Sequence, residues 1–169
     1  LYELKLDGVR LLAEKNGDIV QLRYRTGRNA TALFPELVRA LGSLPVNRVI
    51  LDGEVVAYDE RGLPSFAQLA QRIHKQDARA IALAVRKKQV QLLAFDILAI
   101  DDLDLRKLPL TARKQLLAQL LRGKGYVRML EHVAADGRGL YQFCERFNLE
   151  GVIGKRADSP YGSTRSPTG

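Results

Sequence analysis

The chain has 169 residues and carries 27 lysines and arginines against 19 aspartates and glutamates, for a net charge of +8. That length supports one domain with a real core, and the basic balance, with a pI near 9.8, favours a polyanionic partner, nucleic acid first. Cys144 is the single cysteine and His74 and His132 are the two histidines, so an internal disulfide and a cysteine-based zinc site are excluded, a His/Cys metal cluster is not expected, and any metal is expected to be a magnesium or manganese ion held by carboxylates. No stretch is long and apolar enough to span a membrane, no basic amphipathic helix suits a membrane surface, and no signal peptide is visible. The chain starts without methionine and already in a strand pattern, so we expect a single domain over 1–169 cut from a longer protein, working in the cytoplasm by default.

In chain order, "YELKLDGVRLLAE" and "IVQLRYR" alternate as strands, with the Asn-Gly of "KNGD" predicting a hairpin between them. Leu33, Leu37 and Leu41 predict a helix that stops near Gly42. "RVILDGEVVAYD" reads as a strand interrupted by Asp52, Gly53 and Glu54, "ERGLP" as a turn, and "SFAQLAQRI" as a helix capped by Ser65. The basic stretch "HKQDARAIALAVRKKQ" reads as loop or helix end. "VQLLAFDILAI" is a near-continuous apolar strand, expected to be central. "LTARKQLLAQLLRGKG" predicts a helix opened by Thr111, "YVRMLEHV" one short strand, "GRGLYQFCERFN" a helix ending at Asn148, "LEGVIGKRAD" a strand, and "SPYGSTRSPTG" a loop. Hairpins, buried strands and helices mix without strict βαβ alternation, which predicts an α+β domain of mainly antiparallel sheets flanked by helices.

Charged residues inside apolar strand runs are the informative feature, because ionised groups are rarely buried without partners. They are Lys5, Asp7 and Arg10, then Asp52 and Glu54, then Asp96, then Glu150 and Lys155. If these strands pack side by side, the charges converge on one cleft. A strand lysine there can be a nucleophile once desolvation or nearby positive charge releases its proton. Carboxylates can hold a divalent cation or bind ribose hydroxyls, and arginines can clamp phosphates. Attack of a lysine on an α-phosphate, with loss of pyrophosphate, uses all of these parts.

Each residue also has a plain structural reading. Lys5 could be an exposed strand lysine, Asp7-Gly8 a bulge or turn, Asp52-Gly53 a turn, and Glu54 simply solvated. Phe95 could be core, Asp96 could pair with a buried arginine, Glu150-Gly151 could follow a helix C-terminus, and Arg25 and Arg165 could belong to a basic surface. A basic nucleic-acid-binding module without chemistry is the corresponding alternative function.

The joint order of these elements resembles a known family. "KLDGVR" is similar to the Lys-x-Asp-Gly-x-Arg signature of covalent nucleotidyltransferases, which include ATP-dependent DNA ligases, RNA ligases and mRNA capping enzymes. "YRTG" at 24–27, "DGEVV" at 52–56, "AFDIL" at 94–98 and "EGVIGK" at 150–155 resemble the elements that follow it. Arg10 within the first motif and "TARKQLL" resemble ATP-dependent DNA ligases, and "LFPELVRAL" with the compact spacing resembles the ligase module of bacterial end-joining ligases of the D type. The resemblance implies an ATP-grasp-like nucleotidyltransferase fold and DNA with nicks or breaks as substrate. It also implies a following OB-fold domain, other repair domains in the full-length chain, and a nucleoid-associated place in the bacterial cytoplasm. RNA ligase and capping enzyme remain the alternatives.

It also implies roles. Lys5 would take AMP from ATP. Glu3 and Leu4 would lie at the nucleotide, Glu3 near the adenine amino group, and Phe95 would stack on the base. Asp7 would sit beside the lysine or the metal. Arg10 and Arg25 would contact ribose or the phosphates of ATP or the nucleic acid. Glu54 would reach ribose or the Mg²⁺ or Mn²⁺ ion, Glu150 the metal, Lys155 the nucleotide, and Arg165 the nucleic acid. Two features depart from the pattern: Tyr24 stands where the second motif has Ser or Thr, and the final Lys-x-Lys strand, which would help activate Lys5, is not in the 169 residues.

Overall fold

A computed structural model describes residues 1–123 and 125–162. It contains two sheets. The larger holds β2 (Val9–Asn16), β3 (Ile19–Tyr24), β4 (Arg48–Val56), β5 (Gln91–Ile100) and β6 (Leu103–Asp104) in the order β3-β2-β4-β5-β6, and β7 (Val127–Met129) also pairs with β5. The smaller holds β1 (Tyr2–Lys5), β8 (His132–Val133) and β9 (Gly151–Gly154) in the order β8-β1-β9. Only the β5–β7 pair is parallel among the described strands, so the expected mainly antiparallel α+β architecture holds.

Period-2 alternation decides which face of the large sheet is core. Leu11, Ala13, Leu51, Val55, Leu92 and Ala94 are fully buried on one face, beneath α1 (Pro35–Gly42) with its Leu37 and Leu41. The opposite face of β2 and β4 carries Arg10, Asp52 and Glu54, and there the chemistry collects. A bidentate buried pair, Arg72–Glu36, ties α1 to α2 (Phe66–Ile73), with Arg72 also donating to the carbonyl oxygens of Leu33 and Lys88.

Several expectations need correction. The first motif does not lie in one strand: the chain breaks at Leu6–Gly8, so β1 and β2 enter different sheets. Gly8 is where the chain passes tightly over β4, since a Cβ there would stand 2.1 Å from the Val55 carbonyl oxygen. The basic stretch after His74 is a helix, α3 (Ala78–Lys87), opened by the Asp77 carboxylate accepting from Ala80 N at 2.9 Å. The next helix, α4 (Leu110–Leu120), begins after Pro109 and not at Thr111, because proline cannot extend a helix backwards past itself with a hydrogen bond of its own. "YVRMLEHV" divides at Leu130 between β7 and β8, one in each sheet. The Asn16-Gly17 hairpin, the Ser65 cap and the central position of β5 are as expected, and α5 (Arg138–Arg146) packs on the small sheet.

Candidate active site

Glu3 and Lys5 lie two residues apart on β1 and therefore share a face of the small sheet. Lys5 pairs in register with Gly151 of β9, which brings its ammonium to 2.8 Å from Glu150 Oε1. Both side chains are about half exposed, at 53% and 43%, so the lysine is reachable from solvent. It opens on a cleft of about 450 Å³ lined also by Asp7, Asp59, Arg61 and Ser65. Asp7 is at this cleft as expected, but its hydrogen bond goes elsewhere: its Oδ2 accepts from Phe66 N at 3.0 Å, at the first turn of α2, where an anion also meets the positive end of the helix dipole.

The large sheet contributes a second group. Asp52 and Asp96 stand directly opposite one another on β4 and β5. Like charges in that relation repel, and both are buried, so each needs its own cation. Asp96 takes Arg113 of α4 in a bidentate pair at 2.7 and 3.1 Å, the buried-arginine alternative that the sequence left open. Arg113 also donates to Leu108 O and to Ser159 O, fastening the loop after β9 to α4. Asp52 takes Arg10 at 3.0 and 2.6 Å and also accepts from the Tyr161 hydroxyl at 2.7 Å. The pairing raises the Arg10 pKa, and burial first, then the bond to Asp52, pushes that of Tyr161 up to about 12. Arg10 is thus fixed on the site's face while keeping further N–H donors for an anion.

Glu54 follows two residues after Asp52 on the same face. Its pKa is pushed up to about 7, chiefly by burial, with Asp52, Glu150 and Asp7 adding negative charge and Arg10 opposing them. Gly53 between them allows the close passage of β5, for a Cβ there would lie 2.7 Å from Leu93 O. The register shifts at this point from Asp52↔Asp96 to Gly53↔Ala94, which leaves Phe95 as the extra residue of a β-bulge. The bulge turns Phe95 toward the charged groups. Lys155 Nζ lies 4.4 Å from its ring centroid and the Arg10 guanidinium 5.5 Å, both cation–π distances.

Lys155 also pairs with Glu3, at 2.7 Å from Oε2, while Lys114 of α4 holds Oε1. Glu3, at 1% exposure, is therefore a buried carboxylate between two lysines, next to an aromatic ring and two residues from Lys5. Glu3, Lys5, Arg10, Glu54, Phe95, Glu150 and Lys155 are thus linked by contact, register or mutual charge, and Leu4 backs the cleft from β1. Arg25 is exposed in the turn after β3 and makes no side-chain hydrogen bond or ion pair among the described residues, so the fold does not join it to this cluster. Arg165 lies outside the described residues.

For a metal, no group of three or more His, Cys, Asp or Glu side chains lies together among the described residues. The donor set nevertheless fits a magnesium-type ion, which takes one or two carboxylates and completes its shell with phosphate and water. Glu54, half-buried and under the negative charge of Asp52, Glu150 and Asp7 with Arg10 opposing them, is the observation that supports it. Sequence reasoning missed Lys114, Tyr161, Asp59 and Arg61. Lys114 had a visible signal: with Leu110, Arg113 and Leu117 it occupies the inward stripe of α4, where an apolar residue is ordinary.

Comparison with known proteins gives this arrangement a family. The model of the ATP dependent DNA ligase domain matches residues 1–167. The chain is 36% identical over 167 residues to the multifunctional non-homologous end joining protein LigD of Pseudomonas aeruginosa, covering 98% of this chain and 19% of that protein. It is 37% identical over 166 residues to DNA ligase C1 of Mycolicibacterium smegmatis, covering 95% of this chain and 47% of that one. Among solved structures it is similar to the ligase domain of Mycobacterium tuberculosis LigD, with a TM-score of 0.76 and 34% identity over 95% of this chain and 50% of that one. A mycobacterial DNA ligase D solved with ATP and MES gives a TM-score of 0.75 at 33% identity, over 95% of this chain and 49% of that one. The chain therefore spans a fifth to a half of the length of these relatives. The nucleotidyltransferase fold is that of the LigD ligase domain, and the DNA ligase branch is favoured over RNA ligase and capping enzyme. A family model that matches from residue 1 to residue 167, with relatives above 30% identity along nearly the whole chain, leads to one conclusion: the chain belongs to the ATP-dependent DNA ligase domain family.

Proposed function

We propose that this chain is the adenylating domain of an ATP-dependent ligase that joins broken DNA. The pairing of Lys5 with Glu150 at 2.8 Å, two residues along β1 from the buried Glu3 beside Phe95, carries the reading, because it puts a nucleophile and a base site on one sheet face. The adenine stacks on Phe95 with its amino group toward Glu3. Arg10, anchored by Asp52, faces the ribose or phosphates, and Lys155 moves from the ring to the nucleotide. Lys5, once its proton has left, attacks the α-phosphorus through its lone pair; an N–P bond forms, the bond to the bridging oxygen breaks, and pyrophosphate departs. Glu54 and Glu150 would hold a Mg²⁺ or Mn²⁺ ion, which supplies charge neutralisation at the phosphates when bound. AMP then passes to the 5′-phosphate of a DNA break, and a 3′-hydroxyl displaces it and closes the strand. Arg25 and Arg165 serve the DNA backbone.

We place residues 1–169 as one adenylation unit within a longer bacterial repair protein that works at the nucleoid. A lysine-containing strand and an OB-fold domain complete the machinery there. No helix among the described residues is long and apolar enough to cross a membrane. The test is nick sealing by the full-length protein with ATP and Mg²⁺ on nicked DNA and on nicked RNA. Sealing of DNA that Lys5→Ala abolishes supports the reading. A preference for RNA, or sealing that survives Lys5→Ala, overturns it.

A further inference from the structure

Lys114 is the buried group that the adenylation reading leaves without a task. Its side chain is 3% exposed, it stands on α4, and its ammonium is divided between Glu3 Oε1 and the Phe95 carbonyl oxygen at 2.6 Å. It touches both components of the base site from behind. Burial draws its pKa down and Glu3 resists that shift. Desolvating a lysine is expensive, and an apolar pair of similar volume would often be as stable, so packing alone gives no reason for it.

The two lysines on Glu3 are not equivalent. Lys155 follows β9, has a quarter of its side chain exposed and covers the Phe95 ring, so a base stacking on that face must displace it. Lys114 is held inside and stays. Displacing Lys155 uncovers Glu3 Oε2 with Lys114 still supplying the countercharge on Oε1. The uncovered edge then offers lone pairs only. An exocyclic amino group donates to it, whereas a carbonyl oxygen in that place meets an anion.

We propose that Lys114 is the positioning residue that makes this site select a 6-amino purine nucleotide over a 6-oxo one. The inference rests on the adenylation reading above. Without Lys114, base binding would leave Glu3 as an unpaired buried carboxylate. Such a group neutralises by taking a proton, and a carboxylic acid can donate to a carbonyl oxygen. Discrimination should therefore relax, beyond any general loss of rate.

The test is covalent labelling of the full-length protein with α-labelled ATP and, separately, α-labelled GTP, for wild type, Lys114→Met, Lys114→Arg and Glu3→Gln. Wild type should favour ATP by about 10⁴-fold or more in kcat/KM, the range of sites that hydrogen-bond a distinguishing group. Lys114→Met and Glu3→Gln should each lower that ratio at least ~10-fold, and Lys114→Arg should keep it within ~3-fold. If Lys114→Met fails to fold, Lys114→Gln, which retains a donor toward Phe95 O, reads the same ratio. An equal fall in both nucleotides, with the ratio unchanged, overturns the role of Lys114, as does an unchanged ratio in Glu3→Gln. A wild type labelled by neither nucleotide overturns the adenylation reading instead.

Discussion

Replacing Glu54 by glutamine should stabilise the free protein and disable it. In the folded chain the Glu54 pKa is pushed up to about 7, against an ordinary value of 4.5, because it is partly buried and the negative charges of Asp52, Glu150 and Asp7 add to that against Arg10. The folded state thus binds more protons than the unfolded state between those two values. Unfolding free energy must fall as pH rises through that window and then level off. The gap corresponds to roughly 3 kcal/mol at most, and partial solvent access reduces this to about 1–3 kcal/mol. For a domain of this size each kcal/mol moves Tm by about 2–4 °C. Glu54→Gln should therefore melt about 2–12 °C above wild type at pH 8 and close to wild type at pH 4.5. Nucleotide labelling should meanwhile drop at least ~10²-fold, because an amide cannot balance a cation at the phosphates. Thermal melts of both proteins from pH 4.5 to 8 read the difference directly. A Glu54→Gln protein that melts at or below wild type at pH 8, or with a pH-independent offset, refutes the account of this carboxylate as a destabilised, substrate-facing group.

Three further outcomes follow from the packing. Asp96→Ala leaves Arg113 buried and unpaired and should cost about 3–5 kcal/mol in chemical denaturation, whereas replacing both partners by apolar residues should cost distinctly less. Tyr161→Phe removes one bond to the ionised Asp52 and should cost about 1.5–3 kcal/mol. The same variant should weaken ATP binding, measured by calorimetry, if Tyr161 helps to seat Arg10. Gly8→Ala drives a methyl group toward the Val55 carbonyl oxygen and should lower Tm by about 4 °C or more along with labelling, since strand β4 must yield.

Much of this site was legible because its residues violate a local rule. Lysine, arginine and carboxylates in apolar strands demand partners, and the fold supplies them: Glu150 for Lys5, Arg10 for Asp52, Arg113 for Asp96. The glycines of "KLDG" and "LDGE" also had a readable reason to be special, although a turn is the obvious reading and the close passage of another strand is the actual one. What stayed hidden depends on tertiary contact. The break at Leu6–Gly8 exchanges one sheet for another without any change in the alternation of the sequence. Helix α3 was obscured by its basic composition, although Asp77 followed three residues later by the N–H it caps is a start signal. Tyr161 lies in a loop, where periodicity says nothing. Lys114 and Arg72 sit on inward helical stripes, and only the carboxylates reached from other elements, Glu3 and Glu36, explain why a cation is tolerated there.

If Lys5 alone carries the nucleotide, mapping the adduct on the protein will find it there. The full-length protein is incubated with ATP and Mg²⁺, digested at alkaline pH to preserve the acid-labile N–P bond, and its peptides are sequenced by mass spectrometry. The expected product carries AMP on the Lys5 side chain and on no other residue. AMP attached to another residue, or a full-length protein that gains no AMP, contradicts that role for Lys5.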